Sequence, residues 1–93
     1  MNHLTEAQSA KILGLKKNEF NTILRDLEII ETDNTPRDVF VEHNLFSVYL
    51  KQVKTNTDKT DYILSWFISP IGLDYIHKVF LKHGVNVKTS IFV

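Results

Sequence analysis

Apolar residues recur at every third or fourth position in the first third of the chain, a spacing that predicts two amphipathic helices. The first begins after Thr5, which opens a capping box, and ends at Gly14, because glycine adopts the left-handed conformation at little cost. The second runs from Lys17 to Leu27 or Glu28 and keeps its apolar side chains on one face. The pattern therefore predicts two consecutive helices joined by a short turn.

The middle of the chain is predicted to be extended and rich in turns. The polar cluster 32–36 indicates a turn, and 39–41 is a candidate for a short strand. The segment 46–54 fits two periods, since its apolar residues alternate but also suit one helical turn, and we favour a strand from Val48 onward. The segment 54–61 contains no apolar residue, so we expect it to be an exposed loop.

The last third combines a strand with the helix whose ends are most clearly signalled. Residues 62–68 are rich in β-forming side chains and, with the strand before the loop, complete a hairpin. Ser69 suits the N-cap of the following helix, Pro70 its first position and Gly84 the position after its end. The tail 85–93 is partly apolar, and we expect it to join the fold, as a further strand or in an interface. The predicted core residues of this helix are Leu73, Ile76 and Phe80.

Together these elements predict an α+β fold: a small winged-helix-like domain with an N-terminal helix-turn-helix, a β-hairpin wing and a C-terminal helix. We expect residues 1–93 to form a single domain, because a chain of this size buries roughly 60–70% of its unfolded surface in one core. The sequence contains no cysteine, which excludes disulfides and thiolate metal sites. It also contains no apolar run of about 18 residues and no signal-peptide pattern, so we expect no membrane partner.

The spacing of small and apolar residues in the first two helices meets the steric requirements of a helix-turn-helix. Ala10 provides the small side chain where two steeply crossed helices touch, and Gly14 tolerates the turn. Leu15, Phe20 and Ile23 supply the apolar side chains that the second helix needs on its inner face. An ordinary antiparallel helix pair would use some of the same residues, and it is the alternative.

In a helix-turn-helix protein the second helix enters the major groove of DNA, so the second helix, 17–28, is the candidate reading element. Its amides and guanidinium suit base edges, and nearby lysines suit phosphates. The chain carries eleven basic and eleven acidic residues, however, and a neutral protein binds DNA with modest affinity. The alternative is a protein-interaction module that inhibits a host or repressor protein without binding DNA. The predicted DNA-binding residues are Lys16, Lys17, Asn18, Asn21, Thr22, Arg25, Lys51, Lys54 and Lys59.

The sequence offers no basis for catalysis. The four histidines have no carboxylate or cysteine partners at metal-ligand spacing, and His77 lies at the edge of an apolar helix face, where a packed histidine is the simpler interpretation. No phosphate-binding loop or nucleophile elbow is present. We therefore expect neither enzymatic activity nor a metal or other cofactor.

Three segments resemble the KilA carboxy-terminal (KilAC) domain of phage antirepressors. Residues 4–15 share its Thr, Ala and Leu-Gly series, 20–27 share its Leu-Asn-x-x-Leu type of helix, and 66–76 resemble its ending with Trp, then Gly, then a helix. These segments span most of the chain, and the middle third matches less well. The resemblance implies a winged-helix-like, DNA-associated domain that regulates a phage or prophage in the cytoplasm of a bacterial host.

The sequence departs from the family pattern at several points. Lys16 stands where the family often has a serine before the second helix, and Glu28 stands near a common glycine. Domains of this family usually follow an N-terminal partner domain. The partner expected from the resemblance is double-stranded DNA or another protein, and self-association into a homo-oligomer is a further expectation.

Overall fold

The computed structural model describes residues 3–54 and 60–89 and shows an α+β architecture. In the described chain there are four helices and a two-stranded antiparallel sheet. In chain order they are α1 (Glu6–Leu13), α2 (Lys17–Asp26), α3 (Asp38–Glu42), β1 (Phe46–Lys54), β2 (Thr60–Ile68) and α4 (Pro70–Lys82). The body of helices and the hairpin form an elongated molecule with extents of 46 × 24 × 23 Å.

Local capping signals determine both ends of α1, as predicted. The Gln8 backbone N–H donates to the Thr5 hydroxyl over 3.1 Å, and the Thr5 N–H donates to the Gln8 side chain over 2.9 Å. At the other end Gly14 has a φ of +82°, and the Leu15 N–H donates to the Ala10 carbonyl. This left-handed residue redirects the chain so that α2 begins after residues 14–16.

The second helix lacks a side-chain N-cap and ends at a left-handed residue that is not glycine. Lys16 provides no side-chain cap, but its backbone N–H donates to the Glu19 carboxylate over 3.2 Å. The helix ends at Asp26, slightly before the predicted end, because Glu28 takes a positive φ of 60°. The chain then turns inward, and Ile29 and Ile30 are both buried.

The prediction of a strand at 39–41 is wrong, since these residues lie in the short helix α3. The backbone N–H groups of Phe40 and Val41 both donate to the Arg37 carbonyl, which is a helical pattern. The Phe40 ring also contacts Phe46 at 6.5 Å and Tyr75 at 5.7 Å between centroids. These tertiary contacts outweigh the β propensity of the segment.

The hairpin is present as predicted and is longer at its base. Strand β1 starts at Phe46 rather than Val48, and the helical alternative for this segment is wrong. The register runs from Phe46 opposite Ile68 to Lys54 opposite Thr60. The prediction of a loop at 54–61 is wrong at its ends, since Lys54 belongs to β1 and residues 60 and 61 belong to β2. The rest of the predicted loop, 55–59, lies outside the described residues.

Side chains from both ends of the chain and from the hairpin base share one core. Phe20 of α2 meets Phe80 of α4 edge to face at 5.9 Å, and Trp66 meets Phe46 in the same way at 5.3 Å. Leu73, Ile76 and Phe80 are buried, as predicted. The remaining members of this core are Ala10, Leu13, Leu24, Ile29, Ile30, Leu45 and Ile68.

Helix α4 closes the body against the chain on both sides. The Ser69 hydroxyl accepts from the Gly72 N–H at 2.9 Å and donates to the Asn44 carbonyl at 2.7 Å. His77 is buried, as predicted, and its Nε2 lies 2.6 Å from the Lys88 carbonyl. The Lys88 N–H in turn donates to the Leu13 carbonyl. The tail thus joins the fold through Lys88 without forming a strand up to residue 89, and 90–93 lie outside the described residues.

Candidate functional site

Three of the predicted site residues form one stripe along the outer face of α2. The Thr22 hydroxyl donates to the Asn18 carbonyl over 2.8 Å, and the Arg25 Nη2 lies 3.4 Å from the Thr22 hydroxyl. This alignment follows from helical geometry, since positions four and three residues apart share a face. The structure therefore brings Asn18, Thr22 and Arg25 together, as their spacing predicts.

The C-terminal member of this stripe, Arg25, is tied to the turn that follows the helix. Its Nη1 donates to the side-chain oxygen of Asn34, a residue held at a φ of +68°. The Asn34 backbone carbonyl accepts a second hydrogen bond, from the Trp66 indole, at 2.7 Å. Asn34 thus joins α2 to the base of the hairpin, and the Arg25 side chain is half-buried.

Asn21, by contrast, does not face outward from α2. Its Nδ2 donates to the Glu6 carboxylate over 2.8 Å, and its Oδ1 is buried without a hydrogen-bond partner in the described chain. Asn21 therefore holds α1 against α2. A base or phosphate would have to displace Glu6 to reach its amide group.

The start and middle of α2 carry the accessible polar groups of the predicted site. Lys16, Lys17, Asn18 and Thr22 are all exposed, and together they present two ammonium groups, an amide and a hydroxyl. The exposed Glu19 carboxylate lies in the same turn and offsets one of the two ammonium groups. The unpaired backbone N–H groups and positive partial charge of the first helical turn add to the remaining positive charge, so this end has a small preference for an anionic partner.

The C-terminal end of α2 is acidic in comparison. A surface pocket of about 490 Å³ lies there, and its ionisable lining residues are Arg25, Arg37, Glu28, Glu31 and Asp33. Arg37 pairs with Glu28 at 3.5 Å. Hydrogen bonds from the Thr35 hydroxyl and N–H hold the pKa of Asp33 below its usual value. This carboxylate is therefore ionised at neutral pH, and the pocket does not attract phosphate.

The predicted lysines of the hairpin lie on a different element from the α2 stripe. Lys51 is exposed and pairs with Ile63 in the sheet register. Lys54 is the last residue of β1, opposite Thr60, and Lys59 lies outside the described residues.

Sequence reasoning missed the most unusual surface of the molecule, on the hairpin. Beyond its base, both strands expose large apolar side chains to solvent. The periodicity of two was visible in the sequence, but it could not show where the helices stop covering the sheet. The exposed residues are Val48, Tyr49, Leu50, Tyr62, Ile63 and Leu64.

Two further properties of the described ranges bear on the class of protein. No helix in residues 3–54 and 60–89 is long and apolar enough to cross a membrane. In those ranges, no group of three histidine, aspartate or glutamate side chains is placed to hold a metal ion.

The structure is of the α+β class, and comparison with protein families supports a role in phage regulation. The family model described as the phage antirepressor protein KilAC domain matches residues 2–83. The chain belongs to this family, which confirms the resemblance in its helix pair and its Trp66-to-Ile76 segment. Domains of this family are regulatory rather than catalytic. No curated protein and no solved structure gives a significant match.

Proposed function

We propose that this protein is a DNA-binding regulatory module of a phage or prophage, with α2 entering the major groove. The observation that carries the proposal is the placement of Lys17, Asn18 and Thr22 on the exposed face of a second helix, within its first two turns. That helix follows α1 after a turn, 14–16, that contains a left-handed glycine. In helix-turn-helix proteins the N-terminal residues of the second helix contact base edges.

Each group on this face has a distinct role in the proposal. The Asn18 amide can donate to and accept from one adenine, which makes it the specificity-determining residue. The Lys16 and Lys17 ammonium groups hold phosphates without reading sequence. Arg25 acts in two ways: it positions the end of α2 through Asn34 and, when it leaves Asn34, reaches a base edge.

The hairpin completes a winged-helix arrangement in this proposal. Trp66 fixes its base to the turn after α2 through the 2.7 Å hydrogen bond to Asn34. Lys51, Lys54 and Lys59 would then contact phosphate beside the groove. Residues 1–93 would act as a single domain, in the bacterial cytoplasm where the DNA lies. With a net charge of zero the affinity is modest and depends strongly on salt.

Fluorescence anisotropy with duplexes selected from a random pool tests the proposal. We expect Asn18→Ala to weaken the selected duplex by about 1–3 kcal/mol and to relax sequence preference. Lys17→Ala should weaken all duplexes alike and lower the salt slope by about one unit. Lys82→Ala, an exposed lysine on α4, is the matched control and should change neither. No binding by the wild type at about 50 mM salt would contradict DNA binding, because phosphate contacts are strongest at low salt.

The second candidate is a protein-interaction module that blocks a repressor or host protein. The acidic pocket beside Arg25 favours it, since Glu28, Glu31 and Asp33 would face a phosphate backbone. The variant Glu31→Lys separates the candidates. If α2 binds DNA, removing this exposed acid strengthens binding; if the face binds protein, DNA affinity stays negligible in both the wild type and the variant.

A further inference from the structure

Side chains of the hairpin lie on two faces of the sheet. One face begins in the hydrophobic core and extends beyond it. Phe46, Trp66 and Ile68 lie on this face and are buried against the helices. Because side chains alternate along a strand, the next residues on the same face are Val48, Leu50, Leu64 and Tyr62. We call these four residues the hairpin strip.

Exposure along the hairpin strip is high because the body of the protein ends before the sheet does. Val48, opposite Trp66, is 37% exposed, and the next pair on this face, Leu50 and Leu64, is 66% and 44% exposed. Tyr62, one pair farther from the core, is 59% exposed. Contiguous exposed apolar patches mark interaction sites. We therefore expect a partner to bind this sheet face where it extends beyond the core.

We propose that the hairpin strip packs against the hairpin strip of a second copy of this chain. Along the described part of this face, from Val48 to Gln52 and from Tyr62 to Trp66, no charged residue interrupts the apolar surface. Two copies related by a two-fold axis therefore bury no like charges against each other, and the same residues supply both halves of the contact. Between Val48 and Gln52, and between Tyr62 and Trp66, this face offers phosphate no cation, so DNA does not suit this stretch.

The area of the strip limits the size of the contact. The four side chains expose on the order of 400 Å² per copy, a typical size for an interaction patch. With Gln52 and the strand backbones, a pair of copies buries about 1,000 Å², the lower limit for a specific interface. The dimer is therefore weak and reversible, and it dissociates on dilution.

This inference goes beyond the proposed DNA binding and does not depend on it. If α2 also reads DNA, a two-fold dimer presents two copies of α2, and the selected duplex carries two half-sites. If α2 does not bind DNA, the self-association remains measurable in its absence.

Sedimentation equilibrium of the full chain over a wide concentration range, without DNA, tests the proposal. We expect a monomer–dimer equilibrium for the wild type and at least a tenfold higher dissociation constant for Leu50→Ser. Two controls match this change. Ile63→Ser alters the opposite face of the same hairpin, at 54% exposure, and Ile71→Ser alters α4 at 67% exposure. Both should dimerise like the wild type.

Circular dichroism melts establish that each variant is folded, and Tyr62→Gln on the neighbouring strand replaces Leu50→Ser if that variant unfolds. A wild type that stays monomeric throughout overturns the proposal and leaves the strip to a different partner. A dimer that survives both strip variants, or that Ile63→Ser disrupts equally, also overturns it, because the contact then lies elsewhere.

Discussion

Gly72 packs directly against the backbone of Leu45, so that a β-carbon at position 72 would overlap the Leu45 carbonyl oxygen and stand 2.9 Å from its carbonyl carbon. The contact lies where the first turn of α4 crosses the start of the hairpin. The Leu45 carbonyl also accepts from the Ser69 N–H over 3.0 Å, which fixes the spacing. This relationship gives a physical reason for the glycine in the Trp-then-Gly pattern of the family.

We therefore expect Gly72→Ala to destabilise the protein by about 3 kcal/mol, at the upper end of the range for overpacked sites. Gly84→Ala is the control, because a β-carbon at position 84 would have no atom within 4 Å and only the φ of +74° opposes the change. That strain costs about 1–2 kcal/mol. Chemical denaturation measures both. Equal losses at the two sites would contradict the close contact.

A second prediction concerns the crossing of α1 and α2. Ala10 is 1% exposed at this crossing, whereas Ala7 on the same helix is exposed. Ala10→Leu should cost about 1–3 kcal/mol through overpacking. Ala7→Leu should leave the thermal midpoint nearly unchanged, since both residues favour helix. If Ala10→Leu melts at the same temperature as the wild type, the helices do not cross tightly.

A third prediction concerns the contact of His77 with the tail. His77→Phe keeps a ring of similar width but removes the donor to the Lys88 carbonyl, so we expect a loss of about 0.5–1.5 kcal/mol. The same substitution at His83, which is exposed, should have little effect. We also expect removal of residues 89–93 to lower stability or alter the oligomeric state, and unchanged melting and sizing would contradict a packed tail. Thermal melts and sizing check both changes.

The bond between Trp66 and Asn34 makes a fourth prediction. Trp66→Phe leaves the Asn34 carbonyl without its indole donor and loosens the turn that holds Arg25. We expect a loss of about 1 kcal/mol from the hydrogen bond, with a further loss from the smaller ring. A chemical-shift change at Arg25 in the variant would verify the connection. An unchanged Arg25 signal would show that Asn34 holds its position without the hairpin.

Much of the fold could be predicted because its signals are local. Thr5, Gly14 and Ser69 fix helix ends through hydrogen bonds or backbone angles within a few residues, and each was recognisable by type and position. Segment 39–41 could not be predicted in this way. Its residues favour strand, and the contacts of Phe40 with Phe46 and Tyr75 that stabilise a helical turn involve residues farther along the chain.

The same distinction between local and long-range contacts applies to the candidate site. The shared face of Asn18, Thr22 and Arg25 follows from helical spacing and was predictable. The hydrogen bonds from Asn21 to Glu6 and from Arg25 to Asn34 could not be predicted, because each depends on how two elements pack. The exposure of the hairpin strip likewise could not be predicted, because it depends on where the helices stop covering the sheet.

The short bridge between Leu4 and Ile68 has a consequence for the order of folding. Each residue donates its backbone N–H to the other's carbonyl over 2.7 Å, so the start of the described chain is paired with the last residue of β2. Contacts between residues so distant in sequence close large loops and slow the search for the native state. The hairpin forms from neighbouring residues and can precede this step, so α1 reaches its final position only once Ile68 is in place.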